Sequence, residues 1–302
     1  MKSTPNILIN RMAAGGDVLM TTPIVKKIYQ DRHGKCNIDF RVDQENEIYI
    51  RNNPYIRKII TAERGSQVGI DLINKYDVYI NLDQVYEKNN TIHAVDAYAM
   101  YAVGHCDFDR TLELYTTEED KKTAQEFKSI INNEYIVLHM RKWYWPNRNL
   151  PEDFWGKLIE NILSKTNATI VQVGALHEPC FSRNSRLLDL RGRTSIPLLK
   201  ELIEGAKLFI GSDSGPSHVA AATPTNMLVF YTAVKEEFRR PLRSVGKFVP
   251  VIPNIECYGC HQFNTLESNR LCFRENEDME CVNRFNLDTD TNSVISLLED
   301  NK

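Results

Sequence analysis

Residues Leu208–Ala222 read LFIGSDSGPSHVAAA. A short apolar run stops at Gly211, polar residues gather over Ser212–His218, and small alanines follow. That is the pattern of a buried strand, a loop, and a helix packed closely on the sheet the strand has left. Two readings of the loop stand side by side. In one, Asp213 or Ser214 caps the helix, Pro216 sits in its first turn and the alanines propagate it. In the other, the helix start is an anion site. Unpaired backbone N–H groups and the helix dipole suit a phosphate there, and Gly215 lets it approach closely. Capping gives His218 no role, whereas a ligand does. Asp213, Ser214, Gly215, Ser217 and His218 are therefore candidate ligand contacts.

The same strand–loop–helix unit recurs in both directions from this stretch. Upstream, Asn6–Asn10 (NILIN) precedes RMAAGGD and a helical stretch from about Val18 to Gln30. Cys36–Val42 and Tyr76–Leu82 read as strands, and Glu45–Asn52, Thr91–Val103 and Glu118–Ile131 as helices. The alternation restarts at Tyr135–His139, with a helix over Glu152–Lys165 and strands at Thr169–Val173 and Leu187–Leu190. A helix over Ile196–Glu204 follows, Leu208–Ile210 and Met227–Tyr231 flank the opening motif, and Thr291–Asp300 reads as a closing helix. This β–loop–α succession predicts an α/β protein of two doubly wound parallel sheets, residues 1–132 and 133–302. Ligands belong at the carboxyl ends of the strands, in the cleft between the halves.

Composition narrows the function. The 302 residues carry 37 basic and 40 acidic side chains, a net charge of −3, which leaves no basic footprint for nucleic acid. Hydrophobic residues make up 42%, enough to fill real cores. No apolar run nears the ~20 residues of a membrane helix. MKSTPNILIN lacks the form of a secretory signal, so the expectation is a cytoplasmic protein.

Three loops carry candidate chemistry. AAGGDVLMTTP, residues 13–23, contains neither GxGxxG nor GK[ST], which excludes the dinucleotide fingerprint and the P-loop. Gly15 and Gly16 permit a tight turn; Asp17 either caps the next helix or stands as a general base at a strand's end. Behind Tyr135–His139, Arg141, Lys142 and Arg148 mix with Trp143, Tyr144 and Trp145. Such a loop clamps a phosphate while aromatic faces pack a sugar or base, or else buries its aromatics as plain surface structure. Glu178, in GALHE after the strand TIVQV, is placed to accept hydrogen bonds from ribose hydroxyls. The triplets Asp107-Phe108-Asp109 and Asp288-Thr289-Asp290 lie in polar connections and read as solvated loop acids rather than a manganese site.

With these residues assembled, the sequence resembles the bacterial heptosyltransferases, glycosyltransferase family 9, along nearly its whole length. The resemblance is carried by ILINRMAAGGDVLMTTPIVKKIY (residues 7–29) and LDLRGRTSIPLLKELIEGAKLFIGSDSGPSHVAAATPT (residues 188–225). It implies a two-domain GT-B fold of Rossmann-like halves and an inverting transfer of a sugar, a heptose, from a nucleotide-diphosphate donor such as ADP-heptose. The acceptor implied is a glycan or glycolipid hydroxyl, as in lipopolysaccharide assembly, met by a protein peripheral at the inner membrane. Asp17 matches the family's general base, Ser214 and Gly215 its diphosphate loop, and Glu178 its ribose-binding glutamate; Gly16 belongs to the same donor-facing set. Arg148 stands where many members have a lysine before Trp-Pro, here Asn149-Leu150-Pro151, which leaves the phosphate cation open among Arg148, Lys142 and Arg141. No catalytic metal is implied.

The remaining feature is Cys257-x2-Cys260-x11-Cys272-x8-Cys281. Its count suits a structural zinc or iron held by four thiolates, and some members of the family carry such an iron finger. Buried thiols without metal are the alternative reading. Two rival functions fit the residues less well. A hydrolase with Asp213 or Ser214 and His218 lacks GxSxG and an evident triad order. A sugar-nucleotide or glycan-binding protein without catalysis would have no use for Asp17.

Overall fold

The computed structural model describes residues 4–299 apart from 90, 132–133, 142–144, 182–183, 244, 261–271, 273, 275 and 277. The first half builds β1 (Asn6–Asn10), α1 (Gly15–Leu19), α2 (Thr22–Asp31), β2 (Asn37–Asp43), β3 (Lys58–Ala62) and α3 (Ile70–Ile73). It continues through β4 (Val78–Asn81), α4 (Val85–Lys88), α5 (Ala94–Ala102) and α6 (Glu118–Ser129). The second half contributes β5 (Tyr135–His139), α7 (Glu152–Lys165), β6 (Thr169–Val173), β7 (Leu187–Asp189), α8 (Ile196–Glu204) and β8 (Leu208–Ser212). After these come α9 (Gly215–Ala221), β9 (Asn226–Phe230), β10 (Phe248–Val251), α10 (Glu280–Asn283) and α11 (Leu287–Glu299).

The strands form two parallel sheets, ordered β3-β2-β1-β4 and β10-β9-β8-β5-β6-β7. Each sheet starts at an inner strand, winds outward one way, then returns to the other side. The chain therefore reverses direction between β1 and β4, and again between β5 and β8. Loops leaving the strands diverge at such points and open a crevice for ligand. β5, β6, β8 and β9 are buried at every residue, which explains their continuous apolar character. Trp155, Ile210 and Phe230 fill the core beneath α7 and α11, while Ile9, Phe40 and Val18 fill that of the first sheet. Among the described residues no helix is long and apolar enough to cross a membrane.

Several elements differ from the sequence reading. The helix expected from Val18 to Gln30 is two: α1 ends at Leu19, and α2 starts at Thr22 with Pro23 in its first turn, where a missing N–H loses no partner. Glu45–Asn52 forms only a 3-10 turn at Glu47–Tyr49. β3 and β10 are short strands at sheet edges, where Pro250 is tolerated, and neither showed a clear period. α6 lies against α8, and Thr116, just before α6, donates its hydroxyl to Glu201 of α8 at 2.6 Å.

Asp290 corrects the solvated-acid reading. It sits in the first turn of α11, 5% exposed, and its Oδ2 has no hydrogen-bond partner. Burial pushes its carboxyl up to about 6. A raised folded-state value favours the protonated form, so this contribution is fully present below pH ~4 and is lost as pH rises through about 6. Asp290→Asn is expected to stabilise the protein by about 1–3 kcal/mol at pH 7.5, with the gain vanishing near pH 4. Melting curves at both pH values check this, and an equal effect at both would show that the carboxyl is not what strains the helix.

Candidate active site

Asp17 stands at the switch point of the first sheet. The N-cap of α1 is Ala14, and Asp17 lies inside the first turn, so its carboxylate is not spent on capping. Instead it accepts the Tyr86 hydroxyl at 2.9 Å. Arg11, just past β1, lies 3.8 Å from the same carboxylate. The Arg11 side chain is buried, donating to the Leu82 carbonyl at 3.0 Å and to Glu87 at 2.7 Å, with its guanidinium over the rings of Tyr86 and Tyr98. With its two Nη groups paired and only Nε left without a partner, this buried cation makes a wall beside the acid.

The switch point of the second sheet holds the opening motif. Ser214 occupies the N-cap of α9 in extended conformation but makes no side-chain cap. Its hydroxyl donates to the Ser212 carbonyl at 2.9 Å and lies 3.2 Å from His139 Nδ1, at the end of β5. Ser217 also donates to Ser212, at 2.6 Å. The capping reading of this loop therefore fails for Ser214. His139 Nε2 in turn lies 3.4 Å from Glu178, whose carboxylate accepts the Ala175 N–H at 2.9 Å. Gly174 makes room for that carboxylate: its φ is +135°, and a Cβ there would come within 1.9 Å of Glu178.

Cations gather over the same loop. Arg148 pairs with the Asp213 carboxylate and donates to the Asp213 carbonyl at 3.2 Å; Arg141 donates to that carbonyl at 2.5 Å. Two guanidinium groups against one carboxylate leave the loop cationic. Burial alone would raise the Asp213 carboxyl, but Arg148, then Arg239 and His218, outweigh it and hold it down at about 2. Asp213 thus anchors Arg148 as an ion pair. Lys142 lies outside the described residues.

The two switch points face one cavity of about 1330 Å3. Gly16, Asp17, Arg148, Glu178, Asp213, Ser214, Gly215 and His218 all line it, from both halves of the chain. The halves meet where α1 touches α9: a Cβ on Gly16 would come within 2.6 Å of the His218 ring. Burial pushes the His218 imidazole down against the pull of Asp213, favouring the neutral ring. Ser217 is buried behind the loop. Arg11, Tyr86, His139 and Arg239 complete the site and escaped the sequence reading. Arg11 had a usable signal, a charge immediately after an apolar strand at the loop carrying Asp17. Arg239, within KEEFRRP, reads as ordinary surface charge.

The four clustered cysteines come together elsewhere. Cys257, Cys260, Cys272 and Cys281 are all reduced and line a cavity of about 100 Å3. Burial, then the facing thiols of Cys260, Cys257 and Cys272, pushes the Cys281 thiol up to about 12. Its sulfur contacts the Asn147 carbonyl at 3.7 Å, one residue before Arg148. Among the described residues, no group of three or more His, Cys, Asp or Glu side chains is already arranged to hold an ion.

Comparison with known proteins agrees with this architecture. A family model described as glycosyltransferase family 9 (heptosyltransferase) matches residues 61–269, more than half of the chain. Lipopolysaccharide heptosyltransferase 3 of Escherichia coli (strain K12) is 24% identical over 289 residues, covering 75% of this chain and 82% of that protein. The crystal structure of a family 9 glycosyl transferase from Veillonella parvula superposes with a TM-score of 0.74 at 14% identity, covering 99% of each chain. The iron-containing dodecameric glycosyltransferase TibC of enterotoxigenic E. coli superposes with a TM-score of 0.71 at 16% identity, over 100% of this chain and 77% of that one. TibC has also been solved in complex with ADP-D-β-D-heptose. With the GT-B arrangement of two parallel-sheet halves around one cleft and a family match over most of its length, the chain belongs to glycosyltransferase family 9 and is a sugar-transferring enzyme.

Proposed function

We propose that this glycosyltransferase moves a heptose from ADP-heptose to a hydroxyl of a glycolipid acceptor of the lipopolysaccharide type, with inversion at the anomeric carbon. The first half, to residue 132, takes the acceptor; the second, from residue 133, takes the donor. The observation that carries the reading is the opposition, across one cavity, of an uncapped carboxylate at one switch point and a cationic loop at the other. Asp17 takes the proton of the acceptor hydroxyl as that oxygen bonds to the anomeric carbon. The bond from that carbon to the diphosphate breaks, and negative charge gathers on the leaving nucleotide. Arg148 and Arg141, with the backbone at Ser214 and Gly215, meet that charge in a preorganised site. Glu178 holds the ribose. The enzyme works in the cytoplasm, at the membrane face where a glycolipid acceptor is presented.

A thermal-shift panel of nucleotide-sugars tests the donor. ADP-heptose is expected to raise the melting temperature more than uridine- or guanosine-linked sugars, and ADP far more than adenosine. Equal shifts for ADP and adenosine would remove the diphosphate site.

The four cysteines are assigned to one structural iron or zinc. Four reduced thiols facing one small cavity, three of them opposing ionisation of Cys281, are a donor set that a bound cation would relieve. Bound there, the metal would hold Cys281, whose sulfur contacts the Asn147 carbonyl beside Arg148. Elemental analysis is expected to find about one metal per chain. Cys257→Ser or Cys272→Ser should lose it and lower the melting temperature, with activity falling only as a consequence. A metal-free protein that is fully folded and active would return these residues to ordinary buried thiols.

A further inference from the structure

The proposed base is gripped from the other half of the molecule. Arg239 follows a 3-10 turn, Glu236–Phe238, beyond β9, yet its Nη1 lies 3.6 Å from the Asp17 carboxylate. Its guanidinium sits 4.5 Å from the centroid of Tyr86, the residue whose hydroxyl donates to Asp17. Its Nε is buried and has no hydrogen-bond partner. The turn that carries it is fixed on two sides. The Glu236 N–H donates to the Tyr258 hydroxyl at 2.8 Å. On the other side, the Arg240 carbonyl contacts His93 Nε2 of the first half at 2.9 Å. His93 Nδ1 accepts the Val95 N–H, so Nε2 carries the proton and donates to that carbonyl.

The other cation near Asp17 is already committed. Arg11 is 2.7 Å from Glu87 and 3.8 Å from Asp17, whereas Arg239 feels Asp213 of its own half at longer range and, among the described residues, has its ion pair with Asp17 at 3.6 Å. We infer that Arg239 is a positioning residue: reaching over from the donor-binding half, it clamps Asp17 and Tyr86 so that the base is aimed only when the two halves stand together. This rests on the reading of Asp17 as the base. It gives the cleft a physical interlock, in which acceptor deprotonation depends on the half that holds the donor.

A double-mutant cycle on the full-length enzyme tests it, with turnover and ADP affinity measured for each variant. Arg239→Gln is expected to lower turnover about 10–10²-fold, the usual cost of a slightly misplaced catalytic group, with ADP affinity essentially unchanged. Arg239→Lys should recover part of the loss, and it supplies the same readouts if the glutamine variant folds poorly. In an Asp17→Asn background, Arg239→Gln should cost nothing further, because the group it positions is gone. Equal losses in both backgrounds, or a loss confined to ADP affinity, would overturn the inference and make Arg239 a donor contact. If Asp17→Asn alone kept normal turnover, the base reading itself would have failed, an outcome distinct from either.

Discussion

Asp17→Asn is expected to lower turnover on the order of 10²–10⁴-fold, the range that general-base catalysis supplies, while fold and donor binding stay nearly intact. The substitution keeps size and shape. The amide oxygen can still accept the Tyr86 hydroxyl, and Arg11 retains Glu87 at 2.7 Å and the Leu82 carbonyl at 3.0 Å. What disappears is the lone pair able to take a proton at neutral pH. Turnover at saturating donor, with ADP affinity by calorimetry, separates the two effects. A variant with near-normal turnover would reduce Asp17 to a helix residue in an ion-pair network. Asp17 lies outside the segment matched by the family model, so its assignment rests on this geometry and on the sequence around it.

The second large effect is expected at Arg148. Arg148→Gln should cut turnover about 10²–10³-fold, comparable to removing one donor from a preorganised anion site, and should weaken ADP binding far more than adenosine binding. It carries a stability cost too. Asp213 is buried, and losing its nearest cation leaves a poorly compensated carboxylate. Arg148→Lys controls for that cost. It keeps the charge beside Asp213 but loses the planar fork that reaches both the carboxylate and the carbonyl. Its melting temperature should therefore recover more fully than its turnover. If Arg148→Gln lowered stability but left ADP binding unchanged, Arg148 would be only a structural partner of Asp213, and Arg141 would be left as the described phosphate cation.

The parts of the site that were legible in sequence are those where composition breaks a local pattern. GSDSGPSH interrupts a strand–helix succession, and GGD does the same after β1. Cysteines crowded into one polar segment stand out in a similar way. Periodicity also placed the inner strands, because a strand covered on both faces must be apolar throughout. The half-exposed edges β3 and β10 obey no such constraint, and their residues gave no period to read. The residues that escaped act across the fold. Arg239 meets Asp17 from more than two hundred positions away, and nothing near KEEFRRP marks it as anything but solvated charge. His139 reads as the last residue of a strand, yet it joins Ser214 to Glu178. Asp290 shows the converse. An Asp-x-Asp triplet in a polar stretch reads as solvated, and only the packing of α11 shows the second acid to be buried.

The central claim is a single displacement in which Asp17 activates the acceptor while the cationic loop holds the departing diphosphate. The configuration of the product tests it most directly. The wild-type enzyme would be given ADP-heptose of one defined anomer and a purified acceptor, and the first-formed linkage read by NMR at the anomeric carbon. The opposite configuration is expected, because the acceptor oxygen must enter from the face away from the diphosphate. A product that keeps the donor's configuration would rule out a single displacement from the face opposite the diphosphate, and would contradict the role given to Asp17.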